Sequence, residues 1–213
     1  MRRDRPLRTV AAVSTAVRAL LLAVVFTALP VTVGVAMTGG RAAAPPATYS
    51  PTALGDLDTT TMTIGRASFC DRLPAAAVTD ALGQAATYAD SYGDGDRRAV
   101  PGNGADVLHE YGCVFRAGAT EARAWVFAPP VGVARAKQLA AARTPGCRVL
   151  QGAPAFGRPS VAGSCGTKTS TVTFRGLFGD AWLSCSLSGA GAASTLVDRT
   201  ERWCAAVAQA DQA

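Results

Sequence analysis

The sequence is poor in the residues that most often build catalytic and metal sites. It contains a single histidine, His109, among 213 residues, and no two of its six cysteines are separated by only two or three residues. Structural zinc sites generally use such closely spaced cysteines or several histidines. The sequence also lacks a Gly-x-Ser-x-Gly motif, which would mark a hydrolase nucleophile. We therefore expect no metal site, no cofactor and no catalytic residue, and we interpret the protein as non-enzymatic.

His109 is the one imidazole available as a general base, and Asp106 and Glu110 lie close to it in the sequence. General-base catalysis requires a nucleophile held within hydrogen-bonding distance. The cysteines are expected to be oxidised, so no thiolate is available for that role. A surface histidine at the entrance to a strand is the favoured interpretation.

Asp90, Asp94 and Asp96 form an acidic stretch that is partly similar to a calcium-binding loop. An EF-hand needs an oxygen ligand at the third position and a carboxylate at the twelfth. Those positions hold Tyr92 and Pro101 in this chain. We therefore expect a solvated turn, with exposed ion pairs to the neighbouring arginine pair rather than a calcium site.

Charge is absent from the run Ala19–Met37, whose 19 residues are enough to cross a bilayer core as a helix. Residues 1–18 before it carry five arginines and one aspartate, and such positive flanks stay in the cytoplasm. We predict a single-pass cell-membrane protein, with a basic cytoplasmic tail at 1–18, a transmembrane segment at 19–37 and the C-terminal domain outside. The alternative is secretion after cleavage of a signal peptide, which begins in the same way.

Residues 38–62 are rich in Gly, Ala, Pro and Thr without apolar periodicity, which predicts a linker. Residues 63–213 then form the extracytoplasmic domain. From Ala44 onward the chain holds 15 basic and 14 acidic side chains, so that the domain is nearly neutral. Because binding to a polyanion generally needs a basic surface, we expect no nucleic-acid partner.

All six cysteines fall within this predicted domain. An even number of cysteines outside the cytosol predicts three disulfides, and six cysteines allow 15 pairings. The predicted secondary structure favours one disulfide that closes the Gly- and Pro-rich loop between two cysteines. The other two disulfides would then each join a strand to a helix. The favoured pairs are Cys147–Cys165, Cys185–Cys204 and Cys70–Cys113.

Periodicity and turn residues place most of the secondary structure of the domain. Helices are predicted at Asp71–Gly83, Val133–Arg143 and Ala192–Ala210, strands at Tyr111–Arg116, Ala122–Ala128, Thr169–Phe174 and Ala181–Leu187, a further candidate strand at Arg148–Leu150, and an exposed loop at Ala89–Gly104. The four strands pair as two hairpins, with a turn at Arg175–Asp180 in the second. The expected fold class is α+β, a disulfide-linked antiparallel sheet of two hairpins covered by about three helices.

Four segments together give the chain a family resemblance. They are the opening Phe69–Gly83, the strand cysteine within Tyr111–Phe115, the Gly-rich Gly152–Cys165, and the terminal cysteine of Glu201–Cys204. In this layout the chain resembles secreted actinobacterial domains of unknown function, often lipoproteins, with an α+β sandwich similar to the PsbP type. The resemblance implies association with the cell envelope and supplies no catalytic residues. The chain lacks the lipid-bearing cysteine of such lipoproteins, which favours a protein anchor.

The three tryptophans, Trp125, Trp182 and Trp203, lie on two predicted strands and the last helix. Core packing is favoured over ligand stacking for all three, and the sheet face under Trp125 and Trp182 is the first place to expect a pocket. The leading hypothesis is a non-enzymatic binding module for a small apolar ligand or an envelope component. The alternative is an accessory or interaction subunit of a membrane complex.

Overall fold

The computed structural model describes residues 49–100 and 104–213. The predicted tail at 1–18, the predicted membrane segment at 19–37 and the first part of the predicted linker lie outside the described residues. Within the described ranges, no helix is both long enough and apolar enough to cross a membrane.

Seven strands of the described chain form one fully antiparallel sheet. Their order across the sheet is β1 (Tyr88–Tyr92), β4 (Glu110–Ala117), β5 (Thr120–Phe127), β9 (Ala181–Gly189), β8 (Ser170–Phe178), β7 (Ser160–Cys165) and β6 (Cys147–Val149). Two further strands, β2 (Arg97–Val100) and β3 (Gly104–Val107), pair with each other as a separate hairpin. The predicted hairpins are β4–β5 and β8–β9, and pairing of β5 with β9 joins them at the centre of the sheet.

The sheet is larger than the predicted pair of hairpins. The segment 89–104, predicted as an exposed loop, contains most of β1 and all of β2, and β7 lies in the Gly-rich stretch before Cys165. β8 also continues to Phe178, through residues predicted as a turn. The missed strands lack the runs of valine and aromatic residues that mark a strand in a sequence. Of these, β1 and β7 lie at or next to the two edges of the sheet, where partly exposed positions tolerate polar and small side chains, and β2 lies in the separate hairpin.

Three α-helices confirm the predicted ones: α1 (Ala75–Leu82), α2 (Val133–Ala141) and α3 (Ala193–Ala210). Short 3-10 helices also form at Leu54–Asp56 and Cys70–Arg72. α1 ends where predicted because Gly83 adopts φ +78°, a left-handed conformation that glycine reaches without a Cβ clash. Helices and strands together make the fold class α+β.

The helices cover the two faces of the sheet unequally. α1 and α3 pack against each other and against the face that carries Cys113, Ala124 and Cys185, where they enclose the main hydrophobic core. α2 packs on the opposite face, where Trp182 and Leu177 form a smaller cluster with residues of α2 and its approach. The second face is therefore covered only in part.

The chain before residue 63 also belongs to the domain. Leu54 is fully buried in the main core, and Met62 lies at its margin. The Thr59 hydroxyl donates to the Ala155 carbonyl over 2.9 Å and accepts from the Gly157 amide over 3.0 Å. The ordered domain thus includes the end of the predicted linker and extends to Tyr49 at least.

Three disulfides link the domain, and they are the three pairs that the sequence favours: Cys70–Cys113, Cys147–Cys165 and Cys185–Cys204. The first ties a 3-10 helix to β4, and the third ties α3 to β9, both on the main-core face. The second joins paired residues of β6 and β7 at the edge of the sheet. Three disulfides fit an oxidising, extracytoplasmic environment.

Candidate ligand-binding site

The second face of the sheet carries two cavities beside the α2 cluster. The first has a volume of about 320 Å³ and lies over β1, β4 and β5, with the β2–β3 hairpin forming part of its wall. We call it the tyrosine cavity. Its aromatic and charged lining consists of Tyr88, Tyr92, Asp90, Glu110, Arg98, Arg116 and Arg123.

Except for Arg98, which comes from the β2–β3 hairpin, these side chains share one face of the sheet because of strand alternation. In β1, Tyr88, Asp90 and Tyr92 are two residues apart and so point to the same side of the sheet. In the pairing of β1 with β4, Tyr92 lies opposite Gly112 and Tyr88 lies opposite Arg116. The alternating polar pattern of β1 therefore builds the floor of the cavity.

Tyr92 is the buried centre of this cavity. Its hydroxyl donates to Glu110 Oε1 over 2.7 Å, and the side chain is 8% exposed. The ring lies directly over Gly112, where a Cβ atom would come within 2.4 Å of Tyr92 Cζ and Oη. Only glycine at position 112 leaves room for this ring. Burial raises the pKa of Tyr92, with a further rise from its hydrogen bond to Glu110, so the phenol keeps its proton.

Glu110 is also shielded from solvent, and burial raises the pKa of its carboxyl above the ordinary range. The hydrogen bond from Tyr92 and the nearby charge of Arg123 act in the opposite direction but are the smaller effects. Glu110 thus offers a partly desolvated carboxyl that can accept a hydrogen bond within the cavity.

Two arginines stack on the two tyrosines. The Arg98 guanidinium lies 5.0 Å from the Tyr92 ring centroid and donates to Asp90, which lowers the pKa of Asp90. The Arg116 guanidinium lies 4.8 Å from the Tyr88 ring centroid. Such stacking, together with the hydrogen bonds of Arg98 to Asp90, holds the guanidinium groups in place.

Arg123 differs from the other two arginines. Among the described residues, its guanidinium makes no hydrogen bond, and its nearest carboxylate is Glu121, at 3.7 Å from Nε. Glu121 itself accepts a hydrogen bond from Arg116 Nε over 2.5 Å. The cavity lining holds three guanidinium groups and two carboxylates, and Glu121, outside the lining, is the third carboxylate beside these arginines. Arg123 is the guanidinium group of the three without a hydrogen bond among the described residues, and is therefore the group most available to a ligand.

The second cavity has a volume of about 210 Å³ and lies at the other end of this face, between the end of α2 and strands β6, β7 and β8. The residues that line it include Arg143, Arg148 and Arg175 and no acidic residue. Strand alternation places the Arg175 side chain on this face. The Arg148 side chain belongs to the opposite face, because Arg148 pairs with Ser164, which pairs with Val172 of the main core. We call it the basic cavity. The Cys147–Cys165 disulfide forms part of its wall.

The residues singled out from the sequence mostly lie elsewhere. The His109 side chain is 74% exposed, with Nδ1 at 3.4 Å from Asp94 Oδ1. Asp106 Oδ1 accepts from the Val107 amide, next to it in the chain. Glu110 alone of this group lies in a cavity. His109 is thus a surface residue, as expected.

The three aspartates of the calcium hypothesis have separate partners. Asp90 pairs with Arg98 in the tyrosine cavity, Asp94 faces His109, and Asp96 Oδ2 accepts from the Gly93 amide over 2.8 Å. Within residues 49–100 and 104–213, no three histidine, cysteine or acidic side chains are grouped in a way that could hold a metal ion. The predicted ion pair between this stretch and the arginine pair is present as Arg98–Asp90.

Two of the three tryptophans are core residues. Trp182 and Trp203 are each 1% exposed, and Trp203 Nε1 donates to the Arg123 carbonyl over 3.1 Å. Trp125 is only partly buried and stacks near Phe127, with ring centroids 4.9 Å apart. The face under Trp125 and Trp182 is covered by α2, and neither the tyrosine cavity nor the basic cavity is lined by a tryptophan.

The cavity arginines and tyrosines were not found from the sequence, although signals for both cavities exist. Tyr88, Asp90 and Tyr92 alternate at spacing two, which is a strand pattern. Between Ala122 and Gly179 the chain carries eight basic residues and no acidic residue, although the whole domain is nearly neutral. This acid-free segment supplies the end of β5, α2, β6, β7 and β8.

No known family model matches the chain. No curated protein matches it either.

Proposed function

We propose that the protein is a non-enzymatic binding module, held outside the cytoplasm by its N-terminal segment, and that its ligand occupies the tyrosine cavity. The observation that carries this proposal is the cavity itself. Its volume of about 320 Å³ is at the lower end of the range of small-molecule sites. Its lining combines two aromatic rings with several fixed polar groups, as such sites generally do.

The lining favours a small polar ligand with a negative group over the apolar ligand expected from the sequence. The Arg123 guanidinium, which makes no hydrogen bond among the described residues, can donate two parallel hydrogen bonds to a carboxylate or phosphate. Because the Tyr92 hydroxyl already donates to Glu110, these two side chains offer acceptors for a donor group of the ligand at the buried end. The stacked arginines supply positive charge without having to be reoriented on binding, which lowers the entropic cost.

Three observations support a binding role rather than catalysis. His109 is exposed and faces a carboxylate rather than a hydroxyl or thiol. The cysteines all form disulfides, so no thiolate is available as a nucleophile. Tyr92 keeps its proton because its pKa is raised, which makes it a hydrogen-bond donor rather than a base.

The proposal predicts that ligand retained through purification stabilises the fold. The full chain would be purified in a neutral detergent, and half of it unfolded in urea with its disulfides intact, dialysed and refolded. We expect the natively purified half to have the higher unfolding midpoint, because a ligand that binds only the folded state stabilises it. Arg123→Gln should remove this difference, whereas Arg97→Gln, on the neighbouring hairpin and outside the lining, should retain it. Equal midpoints for both halves of the wild type would count against the proposal.

The anchor is the second part of the proposal, because the uncharged run at 19–37 follows five arginines. We expect the intact mass of the protein in the membrane fraction to include the N-terminal segment. A mass that begins after residue 37, recovered from the medium, would instead indicate signal cleavage.

A role as an accessory subunit of a membrane complex remains the alternative function. The described surface has few exposed large apolar side chains, Tyr88 at 44% and Val133 at 57% exposure. A protein partner would therefore have to recognise mainly polar surface. Co-purification of a partner that survives replacement of the cavity residues but is lost when the N-terminal segment is exchanged would favour this alternative.

A further inference from the structure

The basic cavity has no counter-charge of its own. Arg143, Arg148 and Arg175 line it, and no carboxylate does. Among the described residues, none of these three guanidinium groups takes part in an ion pair. Arg143 and Arg175 are the two whose guanidinium groups can share the cavity, since the side chain of Arg148 belongs to the opposite face of the sheet. Two cations that share one concave site repel each other, and a bound anion would relieve that repulsion.

The Arg175 side chain has a buried hydrogen-bond donor without a partner in the described chain. It lies on β8 and is half-buried, and its Nε atom is fully buried without a hydrogen-bond acceptor among the described residues. Leaving a buried charged donor unpaired costs free energy, generally more than for a neutral group. An oxyanion in the cavity would supply that acceptor.

The chain segments around the basic cavity carry further basic residues and no acidic residue. Every element that forms it, α2, β6, β7 and β8, belongs to the acid-free segment Ala122–Gly179 with its eight basic residues. The nearest opposing feature is the carboxyl end of α2, whose free carbonyls amount to about half a negative charge. That is small against the guanidinium groups of Arg143 and Arg175.

We infer that the basic cavity binds a phosphate group carried by an organic ligand. Phosphate has up to two negative charges and several acceptor oxygens, and so can engage more than one guanidinium at once. The apolar part of the cavity wall, Val149 and Val161, gives the organic portion a surface to rest on. This site is separate from the tyrosine cavity, so the inference stands whether or not the proposed function is correct. The phosphate can come from a soluble ester or from a lipid headgroup, and the experiment distinguishes the two.

The first measurement uses ³¹P NMR at constant ionic strength to monitor the binding of inorganic phosphate to the full chain in a neutral detergent. We expect saturable binding. Arg175→Gln should weaken it about tenfold or more, because a hydrogen bond to a charged group is lost. Arg143→Gln, at an exposed position that should not disturb folding, should weaken it about fivefold.

Arg135→Gln is the matched control. Arg135 lies on α2 within the acid-free segment but does not line the cavity, so this variant removes the same charge at a different place. Phosphate affinity should be unchanged in Arg135→Gln. Equal weakening by Arg135→Gln and Arg143→Gln would mean general attraction to a basic surface and would overturn the inference.

The second measurement identifies the source of the phosphate by hydrogen exchange at residues 142–149, with the full chain in lipid nanodiscs. Protection in discs containing phosphatidylglycerol, but not in discs of phosphatidylcholine alone, indicates a lipid headgroup. Protection in phosphatidylcholine discs only after addition of inorganic phosphate indicates a soluble ester. Absence of saturable phosphate binding together with absence of protection in every disc would overturn the inference.

Discussion

At the scale of single residues, Gly112 makes the tyrosine cavity possible. Gly112→Ala would place a Cβ atom 2.4 Å from two atoms of Tyr92 and displace the ring from Glu110. We expect the free energy of unfolding to fall by about 1–3 kcal/mol, as is usual for overpacking. Urea denaturation followed by tryptophan fluorescence measures this change.

Gly55→Ala provides the control for that substitution. At Gly55 the nearest atom to a new Cβ would be Pro154 Cβ at 3.9 Å, an ordinary contact. The variant should unfold at nearly the same urea concentration as the wild type. If Gly112→Ala were equally harmless, Tyr92 would not be held over Gly112 as described.

Asp211 makes stability depend on pH. Its side chain is fully buried at the end of α3, with Oδ1 at 2.9 Å from Arg72 Nη2 and Oδ2 without a hydrogen-bond partner in the described chain. Burial raises the pKa of Asp211 from 3.8 to about 7, against the opposing effect of Arg72. Between these values the folded state binds more protons than the unfolded state. This contribution to stability is therefore complete below pH 3.8 and is lost as the pH rises through 7.

We accordingly expect Asp211→Asn to flatten the dependence of stability on pH. The wild type should lose stability between pH 5 and pH 8 at this site, and the variant, which cannot ionise, should not. Urea midpoints at the two pH values measure the difference between the two proteins. An equal slope in both would show that Asp211 does not titrate in this range.

At the scale of elements, two disulfides form a natural comparison. Cys147–Cys165 and Cys185–Cys204 close loops of nearly equal length, with separations of 18 and 19 residues. The chain-entropy model therefore gives each about 3 kcal/mol. They differ in burial, because Cys185 and Cys204 lie in the main core, whereas the other pair is half-buried at the sheet edge.

Replacing both cysteines of a pair by alanine should therefore have unequal effects. We expect loss of Cys185–Cys204 to destabilise the fold by about 1–2 kcal/mol more than loss of Cys147–Cys165, since it also leaves a cavity in the core. Urea denaturation without reductant measures both variants. Equal losses would mean that the core closes around the missing sulfur atoms.

The secondary-structure elements differ in how well the sequence predicts them. The three helices follow from strong helix formers and clear stop signals such as Gly83, and strands β4, β5, β8 and β9 follow from their apolar and aromatic runs. β7 has no comparable run, because a strand of small residues is defined by its neighbours in the sheet, and the one signal for β1 is the alternation of Tyr88, Asp90 and Tyr92. The tyrosine cavity depends on β1 and also on its register with Gly112, which the sequence alone does not give.

At the scale of the whole molecule, basic and acidic residues are unevenly distributed along the described domain, although their numbers there are nearly equal. The described domain is nearly neutral, yet the segment Ala122–Gly179 has eight basic residues and no acidic one. A count over the domain hides this separation, and a count in windows along the sequence reveals it. The fold then gathers much of the segment at one end of the sheet, next to the basic cavity.

This separation predicts oriented binding to a cation exchanger. Arg148→Gln and Arg97→Gln remove the same charge from exposed positions, one inside the acid-free segment and one outside it. We expect Arg148→Gln to elute at a clearly lower salt concentration, because the protein would contact the resin through its basic end. Elution of both variants at the same salt concentration would show that only net charge matters.

The central claim, that the tyrosine cavity holds a small ligand, is tested most directly by native mass spectrometry of the full chain released from a mild detergent. The account predicts an additional mass that denaturation releases, that Arg97→Gln retains and that Arg123→Gln loses. A bare protein mass in every preparation, or an additional mass that Arg123→Gln retains in full, would contradict it.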